Sequence, residues 1–401
     1  KIIKYLAGKN LLFAKEKIVH SYPHCWRCDT PLLNYASSSW FLKVTDPELK
    51  SKIIAENQKV AWTPAEIRDG RFGKWLEAAR DWAISRSRYW GATLPVWVCE
   101  QCEAQKVVGS VEELKNLLPK SGNKYFLMRH GEAERNVRGI VTSEMTGNGL
   151  TEKGREQVLA KLEFIKEKKV DLILASDLVR VKETAEIVAS GLDQDSAKVI
   201  YDERLRELNF GDYSGEEIAA YHQHFISEDA RFTVRPPEGE NLADLKKRVM
   251  NLLYELETKY QNQNILLISH GDTTWLMQEK SGATYLQNGE IKELDFTPLP
   301  HNADYELDLH RPYIDEVKFK CEKCEGEMKR VPEVFDTWYD SGSVPFASQN
   351  LRQLVPADFI AEGLDQTRGW FYTLLVLSTA LFGESPYKRV LVNGLILAED
   401  G

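Results

Sequence analysis

The sequence has few cysteines and no apolar run long enough to cross a membrane. Its six cysteines all fall in three Cys-x-x-Cys pairs, and the opening residues Lys1-Ile-Ile-Lys-Tyr-Leu do not form a secretory signal. In such a chain these pairs indicate metal ligands in a reducing, cytoplasmic setting rather than disulfides. The most apolar stretch, Trp370 to Gly383, is shorter than the roughly 20 residues that span a bilayer. We therefore expect a buried helix there and no membrane association.

An excess of positive charge is also lacking. The net charge is −9, which argues against a uniformly basic surface for nucleic acid. The acidity is concentrated, however: residues 122–306 carry 23 Lys and Arg against 33 Asp and Glu, leaving 29 against 28 for the rest of the chain. The flanking parts are therefore neutral enough to hold a local basic patch.

A chain of 401 residues is too long for one ordinary core, so two or three domains are expected. Composition divides it at two Pro-rich runs, around Pro119–Asn123 and Thr297–Asn302. The blocks are residues 1–121, 122–306 and 307–401, and the two outer blocks share a Trp-rich character. Because the chain opens without Met and stops at Asp400-Gly401 with no closing element, we expect a fragment of a longer protein.

The middle block alternates strand and helix patterns. Short apolar runs at Tyr125–Met128, Val170–Ser176 and Asn264–Ser269 have strand length. Helical spacing over Leu150–Lys169, with Thr151 as N-cap, predicts one helix, and leucines and a valine spaced by three and four from Leu242 to Leu256 predict another. This alternation predicts a doubly wound α/β domain, with helices on both faces of a mostly parallel sheet.

Residues suited to phosphoryl chemistry follow these strands. Arg129-His130-Gly131 and Ser269-His270 each end a strand, and carboxyl ends of parallel strands form the ligand-binding edge of such sheets. A neutral histidine can attack phosphorus, arginine binds the non-bridging oxygens, and glycine allows close approach. The remaining members of the set are Asn136, Arg180 and Glu207, the last after a third apolar run.

These motifs, in this order and over about residues 124–295, resemble the histidine phosphatase superfamily. The resemblance implies that His130 becomes phosphorylated while Arg129, Arg180 and His270 surround the phosphate and Asn136 assists. It also implies that Glu207 protonates the leaving oxygen of a small phosphoester. Whether the domain is a phosphatase or a mutase stays open.

The outer blocks resemble isoleucine-type class I aminoacyl-tRNA synthetases. The resemblance is carried by long motifs on both sides of the middle block: His20-Ser-Tyr-Pro-His-Cys-Trp-Arg-Cys28, Asp81-Trp-Ala-Ile-Ser-Arg-Ser-Arg-Tyr-Trp-Gly91, Asp336-Thr-Trp-Tyr-Asp-Ser-Gly342 and Glu362-Gly-Leu-Asp-Gln-Thr-Arg-Gly-Trp-Phe371. It implies a Rossmann-type core that activates isoleucine with ATP, with Mg²⁺ expected, and transfers it to tRNA. Residues 1–20 would be the trailing edge of an editing domain, and 21–121 and 307–401 the two parts of a monomeric, cytoplasmic enzyme's catalytic region.

The resemblance also assigns substrate-binding residues. Trp338 and Trp370 would line the isoleucine side-chain pocket, and Glu362 would hold the amino group or the adenylate. The other implied residues are Gly363, Asp365 and Gln366 around the adenylate and Asn393 and Gly394 near the nucleotide. His-x-Gly-His and Lys-Met-Ser-Lys-Ser, which bind ATP in this class, do not occur, so this stretch alone is not expected to form adenylate.

A four-cysteine zinc site is the third expectation. Each Cys-x-x-Cys pair supplies half of a tetrahedral structural site. The resemblance implies that Cys99 and Cys102 join Cys321 and Cys324, so the middle block lies inside the loop of a zinc knuckle. Metal binding is also expected of Cys25 and Cys28, either with cysteines outside this chain or, as a rival pairing, with Cys99 and Cys102.

Two alternatives stay open at this point. The middle block could be a catalytically inactive docking or spacing module, since such a module can keep the outline of the pocket. The parent could also be a valyl-type synthetase, although the Arg88-Tyr-Trp-Gly and Asp340-Ser-Gly motifs favour the isoleucine type.

Overall fold

The computed structural model describes residues 2–25, 28–33, 38–88, 91–192, 198–278, 283–348 and 355–394. The chain divides into two compact units. The flanking unit contains Lys1–Ser85 and Gly342–Gly401, and the central unit contains Arg86–Ser341. Each unit has its own hydrophobic core. The domain boundaries expected at residues 121/122 and 306/307 both fall inside the central unit and stay predictions.

The elements are numbered in chain order. The helices are α1 (Ile2–Gly8), α2 (Pro47–Lys59), α3 (Gly73–Ala78), α4 (Val111–Leu117), α5 (Glu134–Arg138), α6 (Glu152–Leu159), α7 (Leu162–Glu167), α8 (Val179–Gly191), α9 (Ile218–Gln223), α10 (Leu242–Lys259), α11 (Gly271–Met277), α12 (Thr337–Ala347) and α13 (Trp370–Phe382). The strands are β1 (Phe41–Leu42), β2 (Ala61–Thr63), β3 (Trp82–Ala83), β4 (Ser85–Arg86), β5 (Val96–Cys99), β6 (Gln105–Val107), β7 (Lys124–Arg129), β8 (Leu172–Ala175), β9 (Lys198–Tyr201), β10 (Asn264–Ser269), β11 (Ile291–Leu294), β12 (Lys318–Lys320), β13 (Glu327–Arg330), β14 (Val334–Phe335), β15 (Ile360–Gly363) and β16 (Arg389–Asn393).

The flanking unit joins sequence from both outer blocks. Its three-stranded sheet has the order β15-β16-β2, and both pairs are parallel. Helix α2 begins after Asp46, whose side chain accepts hydrogen bonds from the backbone N–H groups of Glu48 and Leu49. The apolar run that predicted a buried helix is α13, in which Phe371–Thr379 are buried. That prediction is confirmed, and among the described residues no helix is both long and apolar enough to span a membrane.

The main sheet of the central unit is five-stranded, in the order β11-β7-β10-β8-β9. Strands β7, β10, β8 and β9 are parallel, and β11 pairs with β7 in the antiparallel sense at one edge. Side chains alternate along β7: Tyr125 and Leu127 enter one core cluster, while Phe126 and Met128 enter another on the opposite face. Both faces are therefore covered, as expected for an α/β domain.

The helices follow the predicted pattern with one correction. Helix α10 buries the residues spaced by three and four from Leu242 to Leu256, which confirms that prediction. Thr151 caps α6 by accepting a hydrogen bond from Gly154 N–H, but the helix expected over Leu150–Lys169 is broken into α6 and α7. The break occurs where Lys161 N–H bonds to the Val158 carbonyl three residues back, which tightens the chain between the two helices.

A second, antiparallel sheet of the central unit lies outside the middle block. Its order is β12-β13-β5-β6, so strands from before and after the block are hydrogen-bonded to each other. Trp97 is buried beside Phe319, and its indole N–H donates to the Val317 carbonyl. The strands of this antiparallel sheet therefore join two stretches of chain that are more than 200 residues apart in sequence.

Candidate active site and metal site

His130 directly follows β7 and is completely buried. Its Nδ1 lies 2.7 Å from the Gly131 carbonyl oxygen. A carbonyl only accepts hydrogen bonds, so Nδ1 carries the proton and Nε2 keeps the lone pair. Burial and the charges of Arg180, Arg135 and Arg129 hold the pKa of His130 well below its ordinary value of 6.5. Nε2 has no hydrogen-bond partner among the described residues, so the neutral ring keeps a free lone pair on that atom.

His270 lies beside His130 at the end of the neighbouring strand β10. The ring centroids are 5.3 Å apart, and His270 Nε2 lies 2.9 Å from the Ser176 hydroxyl, which follows β8. Burial and then the charge of Arg180 lower the pKa of His270 well below 6.5, so this ring is neutral too. The parallel strands thus bring together two histidines that are 140 positions apart in the sequence.

Three arginines supply the positive charge at this edge. Arg129 ends β7, Arg180 lies in the first turn of α8, and Arg135 is on α5. Arg129 donates to the Leu286 carbonyl at 2.7 Å and Arg180 to the Thr142 carbonyl at 3.3 Å. Neither has a carboxylate oxygen within salt-bridge distance in the described part of the chain. Both guanidinium groups are therefore available to an anion.

Glu207 is the buried acid of the site, with 2% of its surface exposed. Burial, reinforced by the negative charge of Asp272, raises the pKa of Glu207 above its ordinary value. The Arg135 guanidinium opposes this shift, but its Nη2 is 3.8 Å from the carboxylate and makes no hydrogen bond to it. A carboxyl group in this environment can keep its proton and act as a general acid.

Two residues of the motifs, Asn136 and Gly131, shape the chain that follows His130. The Asn136 side-chain oxygen accepts from Ala133 N–H at 3.0 Å and from the Asn288 amide at 3.3 Å, which fixes the loop after His130. Gly131 is required by packing: a Cβ there would lie 2.3 Å from the carbonyl oxygen of Gly154. Sequence reasoning had assigned this glycine to close approach of the phosphate.

Sequence reasoning missed four residues at the mouth of the site. A cavity of about 380 Å³ is lined by Arg129 and Glu207 and also by Arg135, Arg231, Asp272 and Tyr285. Asp272 follows His270-Gly271 directly, so an acidic residue at that position was a readable signal. Neither histidine ring lines this cavity or is exposed. A larger cavity of about 650 Å³, next to Tyr254 and Tyr313, contains none of the predicted site residues.

The four cysteines expected to bind zinc lie together at one end of the antiparallel sheet. The sulfur atoms of Cys99, Cys102, Cys321 and Cys324 are all within 4.8 Å of one another. Cys99 Sγ is 3.4 Å from Cys324 Sγ, and Cys102 Sγ is 3.7 Å from Cys321 Sγ. Tetrahedral zinc with bonds of about 2.3 Å places its sulfurs about 3.8 Å apart, so the group fits that ion.

Cys25 and Cys28 are not part of this group. Asp29 N–H donates a hydrogen bond to the Cys25 carbonyl close by in the sequence. Four thiolates complete a tetrahedral site, so an ion bound by the other four cysteines would leave no position for the rival pairing. A metal at Cys25 and Cys28 stays a prediction.

The flanking unit gathers most of the predicted adenylate residues at one sheet edge. Glu362 and Gly363 end β15, Asn393 ends the parallel strand β16, and Gly363 is in register with Asn393. Asp365 and Gln366 lie on the 3-10 turn Leu364–Arg368 that follows. Asn393 and Gly394 are exposed, as are the Glu362 and Asp365 side chains. Carboxyl ends of parallel strands are the usual ligand edge of such a sheet.

The two tryptophans assigned to the isoleucine pocket differ in setting. Trp370 begins α13, is half-buried against the core of the flanking unit, and its backbone N–H donates to Gln366 Oε1 at 2.9 Å. Trp338 lies on α12 within the central unit and is 43% exposed. A shared role for the two rings stays a prediction.

Comparisons with known families separate the outer and middle blocks. The family described as tRNA synthetases class I (I, L, M and V) matches residues 2–139 and 274–401. The family described as histidine phosphatase superfamily (branch 1) matches residues 125–297. The two matches overlap only at the edges of the middle block.

Individual known proteins are similar to the whole chain or to part of it. The whole chain is 29% identical to an isoleucine–tRNA ligase from Treponema denticola and 30% identical to one from Bacillus thuringiensis, covering 20% and 22% of them. The chain thus spans about a fifth of the length of these relatives. A solved mycobacterial glucosyl-3-phosphoglycerate phosphatase with VO3 is 24% identical, with 43% of this chain and 92% of that chain covered and a TM-score of 0.38.

Proposed function

We propose that this chain, which belongs to the class I tRNA synthetases of the I, L, M and V group, is part of an isoleucine–tRNA ligase. We also propose that its histidine phosphatase domain is an insertion that hydrolyses small phosphomonoesters. The proposal includes tRNA, isoleucine and ATP with Mg²⁺ as substrates of the parent enzyme, and a monomeric, cytoplasmic protein. The names of the relatives favour isoleucine over valine.

The observation that carries the phosphatase proposal is the protonation pattern of His130 and Glu207. Nε2 of His130 has a free lone pair, and Glu207 is held in an environment that favours its protonated form. These are the starting states that nucleophilic attack with acid assistance requires. Arg129 and Arg180, which have no carboxylate partner in the described residues, would offset the charge of the phosphoryl oxygens.

The reaction follows from these states. His130 Nε2 attacks phosphorus, the bond from phosphorus to the alcohol oxygen breaks, and Glu207 gives its proton to that oxygen. Water then attacks the phosphorus, Glu207 takes a proton from the water, and the phosphorus–nitrogen bond breaks. Inorganic phosphate leaves, and the electron pair returns to Nε2. The two steps share one acid–base group, because Glu207 has lost its proton after the first step and can accept one in the second.

Trapping the phosphorylated histidine tests the proposal. The full chain is mixed with a ³²P-labelled phosphomonoester and quenched within milliseconds, and acid-labile, base-stable label is counted. We expect label on the wild type and on His20→Ala, an exposed histidine that serves as the matched control. His130→Ala is expected to lose both label and turnover. Label retained in His130→Ala would contradict the assignment.

A second candidate function is supported by one observation. The rings of His130 and His270 are fully covered, as they would be in a docking module that no longer admits substrate. Absence of both label and turnover from the wild type, across a broad panel of phosphomonoesters, would favour that function.

We also propose that Cys99, Cys102, Cys321 and Cys324 hold a structural zinc ion. The support is the spacing of the four sulfurs and their origin on both sides of the inserted domain. The ion would cross-link two distant stretches of chain and would take no part in the phosphatase chemistry.

A further inference from the structure

Arg135 is a buried cation that the phosphatase mechanism does not use. It lies on α5, and only 6% of its surface is exposed. Its Nε and Nη1 atoms have no hydrogen-bond partner within the described part of the chain. Its nearest anion is Glu207, 3.8 Å from Nη2, beyond hydrogen-bond distance. Burying an unsatisfied guanidinium is costly, so a further group is expected to satisfy it.

The charges of the site leave Arg135 uncompensated. A phosphate group carrying two negative charges is matched by Arg129 and Arg180. Glu207 must be protonated, and hence neutral, when it serves as the acid. With substrate bound, Arg135 is then a positive charge in a buried site with no counter-ion.

The neighbouring arginine does not have this property. Arg231 is equally buried, but its guanidinium contacts the Asp272 carboxylate at 2.9 Å and the Glu228 carboxylate at 3.2 Å. The Tyr285 hydroxyl also donates to Asp272, at 2.8 Å. Of these two arginines, only Arg135 therefore has no carboxylate within hydrogen-bond distance among the described residues. Both arginines line the cavity of about 380 Å³, which is at the small end for ligand pockets.

We propose that Arg135 binds a second anionic group on the substrate, so that the inserted domain acts on small phosphomonoesters that also carry a carboxylate or a second phosphate. This inference rests on the proposed phosphatase function. The unpartnered atoms of Arg135 would donate to the second anion, while the phosphoryl group to be transferred occupies the site of Arg129 and Arg180.

Matched substrate pairs test the proposal on the full chain. Phosphoglycolate is compared with 2-hydroxyethyl phosphate, which replaces the carboxylate by an alcohol. 1,3-Propanediol bisphosphate is compared with 3-hydroxypropyl phosphate, so the two pairs distinguish a carboxylate from a second phosphate. We expect kcat/KM to favour the doubly anionic member of at least one pair by about tenfold or more, the usual effect of a charge-assisted hydrogen bond.

The variants are Arg135→Gln, Arg135→Lys and Arg138→Gln, the last removing an exposed arginine from the same helix. Arg135→Gln is expected to bring the ratio within each pair close to one, Arg135→Lys to retain part of it, and Arg138→Gln to leave it unchanged. Wild-type ratios near one overturn the proposal. So does an equal loss on both members of a pair in Arg135→Gln, which would make Arg135 a positioning residue for Glu207.

The second-anion proposal and the phosphatase proposal can fail independently. Turnover of esters without preference overturns the second-anion site alone. If no ester is turned over, calorimetry decides, because the doubly anionic member of at least one pair must still bind the wild type about tenfold more tightly than its singly anionic partner. Equal affinities in both pairs overturn the inference as well.

Discussion

The substitution Glu207→Gln separates proton donation to the leaving oxygen from phosphoryl transfer to His130. In Glu207→Gln the side chain keeps its shape, and it cannot give a proton to the leaving oxygen. The loss should therefore depend on the leaving group. An alkyl alcohol must be protonated as it leaves, whereas 4-nitrophenolate is stable as an anion near neutral pH. We expect a large loss with 2-hydroxyethyl phosphate and a small one with 4-nitrophenyl phosphate.

The size of the effect follows from the setting of Glu207. The carboxyl is 2% exposed, so solvent water has poor access to replace it as a proton donor. A positioned general acid contributes about 10²- to 10⁴-fold, which corresponds to about 2.7 to 5.5 kcal/mol of activation free energy. We expect a loss in this range for the alkyl ester and less than about tenfold for the nitrophenyl ester. The amide should not unfold the protein, because the native carboxyl is already held in an environment that favours its neutral form.

Steady-state kcat/KM for the two esters is the assay, with Glu216→Gln as an exposed control on the same segment. The alkaline limb of the pH profile should also vanish in Glu207→Gln, because the group that titrates there is gone. Equal losses on the two esters would refute the reasoning, since a proton donor cannot matter equally to both leaving groups.

Two further predictions concern Asp272 and the cysteine group. Asp272→Asn removes the negative charge that helps to raise the pKa of Glu207, so the carboxyl loses its proton at lower pH. The alkaline limb of kcat/KM should shift toward acid, and an unshifted profile would exclude Asp272 as a cause. The wild-type chain should contain about one zinc ion, and Cys321→Ser should contain none, as measured by atomic emission. Residues 96–107 should be more sensitive to protease in the variant than in the wild type. A structural zinc site would be contradicted if wild-type protein purified with zinc present contained none and resisted protease no better than Cys321→Ser.

Much of the central fold could be predicted because its signals are local. Runs of apolar residues gave the parallel strands β7, β8 and β10, and the three-four spacing of leucines gave α10. Residues at strand ends were expected to converge, and His130 and His270 do lie side by side. Each Cys-x-x-Cys pair predicted half of a metal site, and the resemblance to the synthetase family implied which two pairs join in the four-cysteine group.

What the sequence did not reveal depends on tertiary environment. Arg135 looks like an ordinary charge on a polar helix, and only the packing of α5 shows that it is buried. The same holds for Arg231 and Tyr285, which come from segments with no periodic pattern. The break between α6 and α7 was missed because apolar spacing continues through it. The role of Gly131 in admitting the Gly154 carbonyl also needed coordinates.

The topology is compatible with the proposed insertion of the middle block between strands of the antiparallel sheet. The residues proposed as the inserted domain have β7 as their first strand and β11 as their last, and these strands are antiparallel neighbours with Tyr125 opposite Leu294. The chain therefore enters and leaves at adjacent points, which is the condition under which an insertion is tolerated. Those points lie at the amino end of β7, whereas His130 follows its carboxyl end. Six strand residues separate the two ends by about 20 Å. The edge that carries His130 therefore lies at the opposite end of β7 from the proposed attachment.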